Sequence, residues 1–305
     1  MKKLAALFLS LTLALSLTAC GGDTNTTPTP GGESTTPVTD PTPNGENTAP
    51  AALTGVEDGV LTVAMECAYA PYNWTQSDDS NGAVPIANNP GSYANGYDVA
   101  IAKKIAEQNG WELEIMAIEW EGLSPALNAG TVDMVIAGQS MTADRMAQVD
   151  MAGPYFHASI VCVTKVDSPL SECTGISQLT GTCTAQTGTV WYDTCLPQIE
   201  GAELMPAAET APAMIMAVES GTVDFICTDM PTAMAACATY PDLVILDFTG
   251  TEDNFTVSDE EINIGLSVRK GNTTLLDAAN KVLAGMTAEG FNTLMNEAIS
   301  VQPAI

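Results

Sequence analysis

Arg145 sits in residues 144–155, DRMAQVDMAGPY, in a chain that has only 9 Lys plus Arg against 37 Asp plus Glu. A cation kept in so acidic a protein either grips an anion or is paired locally, with Asp144 or Asp150, and an exposed pair of that kind contributes little. Signs of catalysis are sparse. His157 is the single histidine, and no nucleophile elbow, phosphate loop, dinucleotide fingerprint or HExxH is present. Seven cysteines follow Cys20 with no CxxC pair, and the closest separations are Cys173 to Cys183 and Cys227 to Cys237, so a cysteine zinc site is not expected. Cys162 and Cys227 lie in apolar runs and are expected as core thiols. Cys173, Cys183 and Cys195 could supply one disulfide.

The elements that must position these residues come in two parts. The opening MKKLAALFLSLTLALSLTAC has two lysines, an apolar run and small residues before Cys20, the pattern of an export leader and too short for a membrane span. Leu17-Thr18-Ala19-Cys20 resembles a bacterial lipobox. This implies cleavage of residues 1–19 and acylation of Cys20, with several acyl chains anchoring stably. Loss of that leader removes only Lys2 and Lys3, leaving 7 basic against 37 acidic side chains, a net charge of −30. Such a balance excludes binding to a phosphate backbone and leaves membrane attachment to the lipid. Residues 20–52 are dense in Thr, Pro and Gly and cannot bury enough surface to fold, so they are expected to be a disordered tether of roughly 30 Å.

Residues 53–305 are enough for two cores. Short apolar runs alternate with helical patterns. Strands are expected at 60–65, 113–118, 133–138, 183–186 and 223–229, with helices between them. The helix from Asp98, placed as N-cap, runs to a stop at Gly110. This alternation predicts an α/β fold with largely parallel sheets. PALNAGTVDMVIAG (125–138) and IMAVESGTVDFICTD (215–229) repeat one unit in each half. Because ligands bind beyond the carboxyl ends of such strands, the residues that follow them are the first candidates for a site.

Several stretches together carry a resemblance. ECAYAPYNW, NGYDVAIAKKIAEQNG, WEGLSPALNAGTVDMVIAGQSMTADRMAQVDMAGPY, AQTGT, GTVDFICTDMPTAMAA and IGLSVRKGNTTLLDAANKVLAGMTAEG are similar, in order and spacing, to the bacterial extracellular solute-binding proteins (family 3) of polar amino-acid ABC transporters, from Leu61 to Ala298. The resemblance implies a two-lobed periplasmic-binding-protein-like (type II) fold, each lobe a mostly parallel sheet flanked by helices. Lobe 1 would be 53–158 plus 250–305 and lobe 2 159–249, joined by two crossover strands near 157–161 and 248–262. It also implies roles.

Ser140-Met141-Thr142-Ala143-Asp144-Arg145 matches the family pattern whose arginine takes the ligand carboxylate, and a guanidinium does so with two parallel charge-assisted hydrogen bonds. Ser140 and Thr189 would add contacts to that carboxylate, Thr189 at a Gly turn opening a helix. Asp229 and Gly138 would take the amino group. Glu66, Tyr69 and Trp120 would meet the side chain. Asp229 is also placed to cap the helix at Pro231, and without the resemblance Tyr69 and Trp120 would be read as core. Val190 departs from the pattern by lacking a hydroxyl. Residues 76–95 form an insertion expected beside the cleft mouth, either screening substrates or making a plain surface hairpin.

The function expected is a monomeric receptor, without cofactor or metal, on the outer face of the cytoplasmic membrane. It would deliver an amino acid to an ABC permease. The alternatives are a sensory or scavenging binding protein and a dehydratase on the same fold, with Glu66 as general acid.

Overall fold

The computed structural model describes residues 56–303. The leader, Cys20 and the tether lie outside the described residues. Among the described residues no helix is long and apolar enough to cross a membrane.

The described chain opens with β1 (Val60–Met65), where VLTVAM is mostly buried because both faces of its sheet are covered. A small antiparallel sheet follows from β2 (Ala68–Tyr69), β3 (Asn73–Gln76), β4 (Val84–Pro85) and β5 (Tyr93–Asn95). It takes up the 76–95 segment. Helix α1 (Tyr97–Asn109) buries Val99, Ile101, Ala102, Ile105 and Ala106, and ends at Gly110 in the left-handed region expected of a C-cap. Its start differs from expectation, since Gly96 and not Asp98 is the N-cap. Asp98 stands inside the first turn and is fully buried, because Asn73 and Tyr155 supply its hydrogen bonds from within the core.

Next come β6 (Glu112–Ala117), α2 (Trp120–Ala129), β7 (Met134–Ser140), α3 (Ala143–Gln148) and β8 (Asp150–His157). Asn88, within 76–95, pins that segment to β6 through hydrogen bonds of 2.7 and 3.0 Å with the Ala117 backbone. The chain crosses at Ala158 and Ser159 into β9 (Ile160–Lys165). The second lobe continues with β10 (Gly181–Thr184), β11 (Ala202–Leu204), α4 (Ala211–Glu219), β12 (Phe225–Asp229), α5 (Met230–Thr239) and β13 (Leu243–Leu246). Asp253 and Thr256 remain bonded to Ser177 and Gln198 of this lobe. The return passes through α6 (Asp259–Ile262) into β14 (Asn263–Val268), and α7 (Thr273–Ala284) and α8 (Ala288–Val301) pack back against α1.

Two five-stranded sheets of one design result, β6-β1-β7-β14-β8 and β11-β10-β12-β9-β13. In each, the first three strands pair in parallel, and the fourth runs antiparallel between the third and the fifth. Each reversed strand, β9 or β14, is the one arriving from the opposite lobe. The remaining strands of a sheet share one direction. The fold is therefore α/β with two lobes, each a mostly parallel sheet flanked by helices. The crossings touch each other, with the Ala158 N–H donating to the Ile262 carbonyl at 2.8 Å.

All seven cysteines among the described residues are free thiols, so the disulfide considered among Cys173, Cys183 and Cys195 is not formed. Cys183 is buried, while Cys173 is part-exposed and donates its thiol to the Gln178 carbonyl. Cys162 and Cys227 are buried and face each other across β9 and β12.

Candidate functional site

Between the lobes lies a cavity of about 730 Å³, within the range of small-molecule sites. Arg145, Ser140, Gly138, Tyr69 and Trp120 line it from the first lobe, and Thr189 lines it from the second. Glu66 and Asp229 do not. They stand behind the wall, Glu66 against Gln186 and Asp229 against Tyr69.

Arg145 belongs to α3, a short helix that starts where the Thr142 hydroxyl accepts the Arg145 N–H at 3.3 Å. Its guanidinium donates to the Ser140 carbonyl and lies 5.7 Å from the centre of the Trp120 ring. No carboxylate among the described residues is within ion-pair distance of it, and Asp150, one of its possible local partners, is held by Lys270 at 3.1 Å. Burial pulls its pKa below the ordinary value. Arg145 is thus a partly desolvated cation on the cavity wall with no ion-pair partner among the described residues, an arrangement that an anion relieves.

Gly138 interrupts β7 with φ of 61°, and a Cβ there would lie 2.7 Å from the Tyr69 ring, so the close approach of that ring requires glycine. The Gly138 N–H donates to the Tyr155 hydroxyl at 3.1 Å. Tyr69 stacks on Tyr72 with ring centres 4.9 Å apart.

Two hydrogen bonds join the lobes around this point. The Tyr69 hydroxyl donates to Asp229 Oδ2 at 2.8 Å, and Gln186 Nε2 donates to Glu66 Oε1 at 3.2 Å. Burial pushes Glu66 up to about 7, opposed in part by the Gln186 bond. Burial also raises Asp229, against the bonds from the Thr232 N–H and the Tyr69 hydroxyl. The Thr232 N–H bond, at 2.9 Å to Asp229 Oδ1, makes Asp229 the N-cap of α5. Nearby, the buried Tyr72 and Thr232 hydroxyls bear on the Asp229 carboxylate, and the Thr228 hydroxyl is buried without a partner among the described residues.

Thr189 follows Gly188 as expected, and the helical segment it opens is one wide turn, Trp191–Cys195, that runs on into a tighter turn, Leu196–Gln198, with Pro197 near its start. The Thr189 hydroxyl donates to the Gln186 carbonyl at 2.7 Å. No residue of the 76–95 segment lines the cavity, and exposed His157 stays outside it. No group of His, Cys, Asp or Glu among the described residues could hold a metal ion.

Sequence reasoning missed Gln186 and Trp191, and the carboxylates Glu121, Asp144, Asp193 and Glu260, all of which line the cavity. The strand-end rule could have found Gln186, which lies just beyond β10. The acids were hidden in the general negative charge.

The model of the bacterial extracellular solute-binding proteins, family 3, matches residues 61–297. Over 95% of this chain and 92% of its own length, a probable histidine-binding protein of Neisseria gonorrhoeae is 27% identical. The arginine-bound form of a truncated ArgBP from T. maritima is 28% identical at a TM-score of 0.61, covering 75% of this chain and 97% of its own. An ancestral amino-acid-binding protein, a precursor of cyclohexadienyl dehydratase, is 25% identical at a TM-score of 0.62, covering 79% and 96%.

Proposed function

The chain belongs to the bacterial extracellular solute-binding proteins, family 3, and from that premise we propose that it captures an amino acid outside the cell and hands it to an ABC permease. The observation that carries this reading is Arg145, a cation with no ion-pair partner among the described residues, in a cavity bounded by both lobes. A free amino acid brings the carboxylate that Arg145 lacks. Ser140 and Thr189 join Arg145 on that carboxylate, and the Gly138 carbonyl and Asp229 take the ammonium. The Tyr69 hydroxyl holds the place on Asp229 that the ammonium takes when Tyr69 gives way, and the hydroxyls gathered around Asp229 make that end of the site polar. Ligand contacts to both lobes then favour the closed population.

Glu121, Asp144, Asp193 and Glu260 around the cavity, with Trp120 beside it, favour a guest whose side chain is cationic. The arginine-bound neighbour and the histidine-binding relative point the same way. Glu66 reinforces that charge from behind Gln186. On this reading Cys20 carries the lipid, residues 20–52 form the tether, and lobe 1 and lobe 2 divide near 158, with the return to lobe 1 falling after the segment of Asp253 and Thr256 and so later than 250. The receptor works as a monomer without a cofactor on the outer face of the cytoplasmic membrane.

A second reading, a dehydratase, rests on the ancestral neighbour and on a buried Glu66 titrating near neutrality. The position of Glu66 behind the cavity wall counts against a general acid that must reach substrate. A thermal-shift screen of residues 53–305 against the twenty amino acids, ornithine, citrulline, cystine and short dicarboxylic acids tests both readings. A rise in Tm with arginine, ornithine or lysine, and the ligand recovered unaltered, is expected. A consumed ligand would favour the enzyme, and no shift with any compound would remove the receptor reading.

A further inference from the structure

Asp98 is a buried carboxylate that the binding scheme above does not use. It sits on α1, fully buried, where its Oδ2 accepts from Asn73 Nδ2 at 2.8 Å and its Oδ1 accepts from the Tyr155 hydroxyl at 2.8 Å. Tyr155 is on β8, one of the strands leading to a crossing, and it is itself fully buried. Its oxygen accepts the Gly138 N–H at 3.1 Å, and the same N–H also bears on the Asp98 carboxylate. Asn73 in turn accepts the Cys67 N–H at 2.7 Å, beside Glu66. Asp98 is therefore the centre of a network that reaches the cavity wall at Gly138 and the loop after β1.

The direction of these bonds depends on charge. A carboxylate only accepts, so Tyr155 must point its O–H at Asp98, which leaves the Tyr155 lone pairs free for the Gly138 N–H. A protonated Asp98 can donate to Tyr155 instead. The phenol hydrogen must then turn away and compete with the Gly138 N–H for the same space.

We propose that Asp98 is a positioning residue for the ligand cavity, holding the left-handed Gly138 in place through the Tyr155 hydroxyl. This rests on the reading that Gly138 contacts the bound amino acid. It gives α1, which does not reach the cavity, a part in binding.

One consequence is pH dependence. Burial pushes Asp98 up to about 7, against the bonds from Tyr155, Asn73 and Gly138. The groups facing it are Tyr155 on β8, Tyr97 on α1, Tyr72 ahead of β3, Cys67 and Glu66 after β1, and Asp229 from the second lobe. None is basic, and of these Glu66 and Asp229 are carboxylates that burial also raises. Affinity should fall as pH drops through neutrality and Asp98 takes up its proton.

The test is calorimetric titration, between about pH 6 and pH 8, of whichever amino acid the thermal screen identifies, with Asp98→Asn, Glu66→Gln, Asp229→Asn and Tyr155→Phe compared with the parent. The parent should bind about tenfold more weakly at the acid end, a change of order one pKa-linked protonation. Asp98→Asn should weaken binding at the alkaline end and remove most of the slope, while Glu66→Gln and Asp229→Asn measure the share of the slope that those two raised carboxylates contribute. Tyr155→Phe should weaken binding at every pH, with its circular-dichroism spectrum unchanged. An Asp98→Asn protein that binds with parental affinity at the alkaline end overturns the proposal, as does a folded Tyr155→Phe protein with parental affinity. A screen without any ligand would strike the receptor reading instead, which separates the two failures.

Discussion

A guanidinium with an aromatic face on one side and no carboxylate in reach is an anion site waiting for its anion, and Arg145 is such a group. Arg145→Ala should weaken amino-acid binding more than about tenfold, at least ~1.4 kcal/mol, because a charge-assisted pair is lost inside a cavity. The fold should persist, since the side chain reaches only the Ser140 carbonyl and the Trp120 ring. Calorimetry with a parallel melting curve separates the two effects, and unchanged affinity would end the assignment. Arg145 stood out in the sequence because basic residues are so few. Asp98 did not, because an acid before an apolar helical run looks like a cap, and its true partners, Asn73 and Tyr155, are distant in sequence and brought together only by packing. Gln186 was passed over for a similar reason, since its partner Glu66 comes from the other lobe.

At the scale of elements, Asp229 has two tasks that substitution can separate. It caps α5 through the Thr232 N–H, and it accepts the Tyr69 hydroxyl from the facing lobe. Asp229→Ala should cost roughly 2–4 kcal/mol, about one for the cap and the rest for a buried phenol left unpaired, seen as a lower Tm. Asp229→Asn keeps a capping oxygen and should melt close to the parent, yet lose affinity if the ammonium docks there. An Asp229→Asn protein with full affinity would reduce Asp229 to a cap. The strands were legible because buried runs such as VLTVAM in β1 and FICTD in β12 have no competing pattern. The helical segment after Thr189 was legible too, but not its wide first turn, Trp191–Cys195, which no single residue marks.

Across the whole molecule, acidity and burial set the response to pH. Glu66 and Asp98 are both raised to about 7 in the folded state, from ordinary values of 4.5 and 3.8. A carboxyl raised on folding favours the folded state while protonated, and that contribution is lost as pH climbs through the folded pKa. Melting temperature should therefore rise as pH falls from about 8 to about 5, and lowering the charge of so acidic a chain acts in the same direction. Below about pH 4 the trend should reverse, as Asp150 and Glu261, held below their ordinary values by hydrogen bonds, take up protons. A melting temperature that falls steadily from pH 8 to pH 5 would contradict the burial of these two acids. The α/β class was legible from alternation and room for two cores from length, while the two-lobed arrangement came from the family resemblance. The reversed strand in each sheet was not, because nothing local in β9 or β14 marks its direction.

The placement of β14 between β7 and β8 bears on the order in which the protein is assembled during synthesis. The second sheet draws all its strands from one unbroken stretch of chain and can close as soon as β13 has emerged. The first sheet stays split until Asn263–Val268 is made, since its fourth place is filled from near the carboxyl end. A growing chain can thus complete its second lobe while the first is still open, and the first lobe closes only when that late strand takes its place.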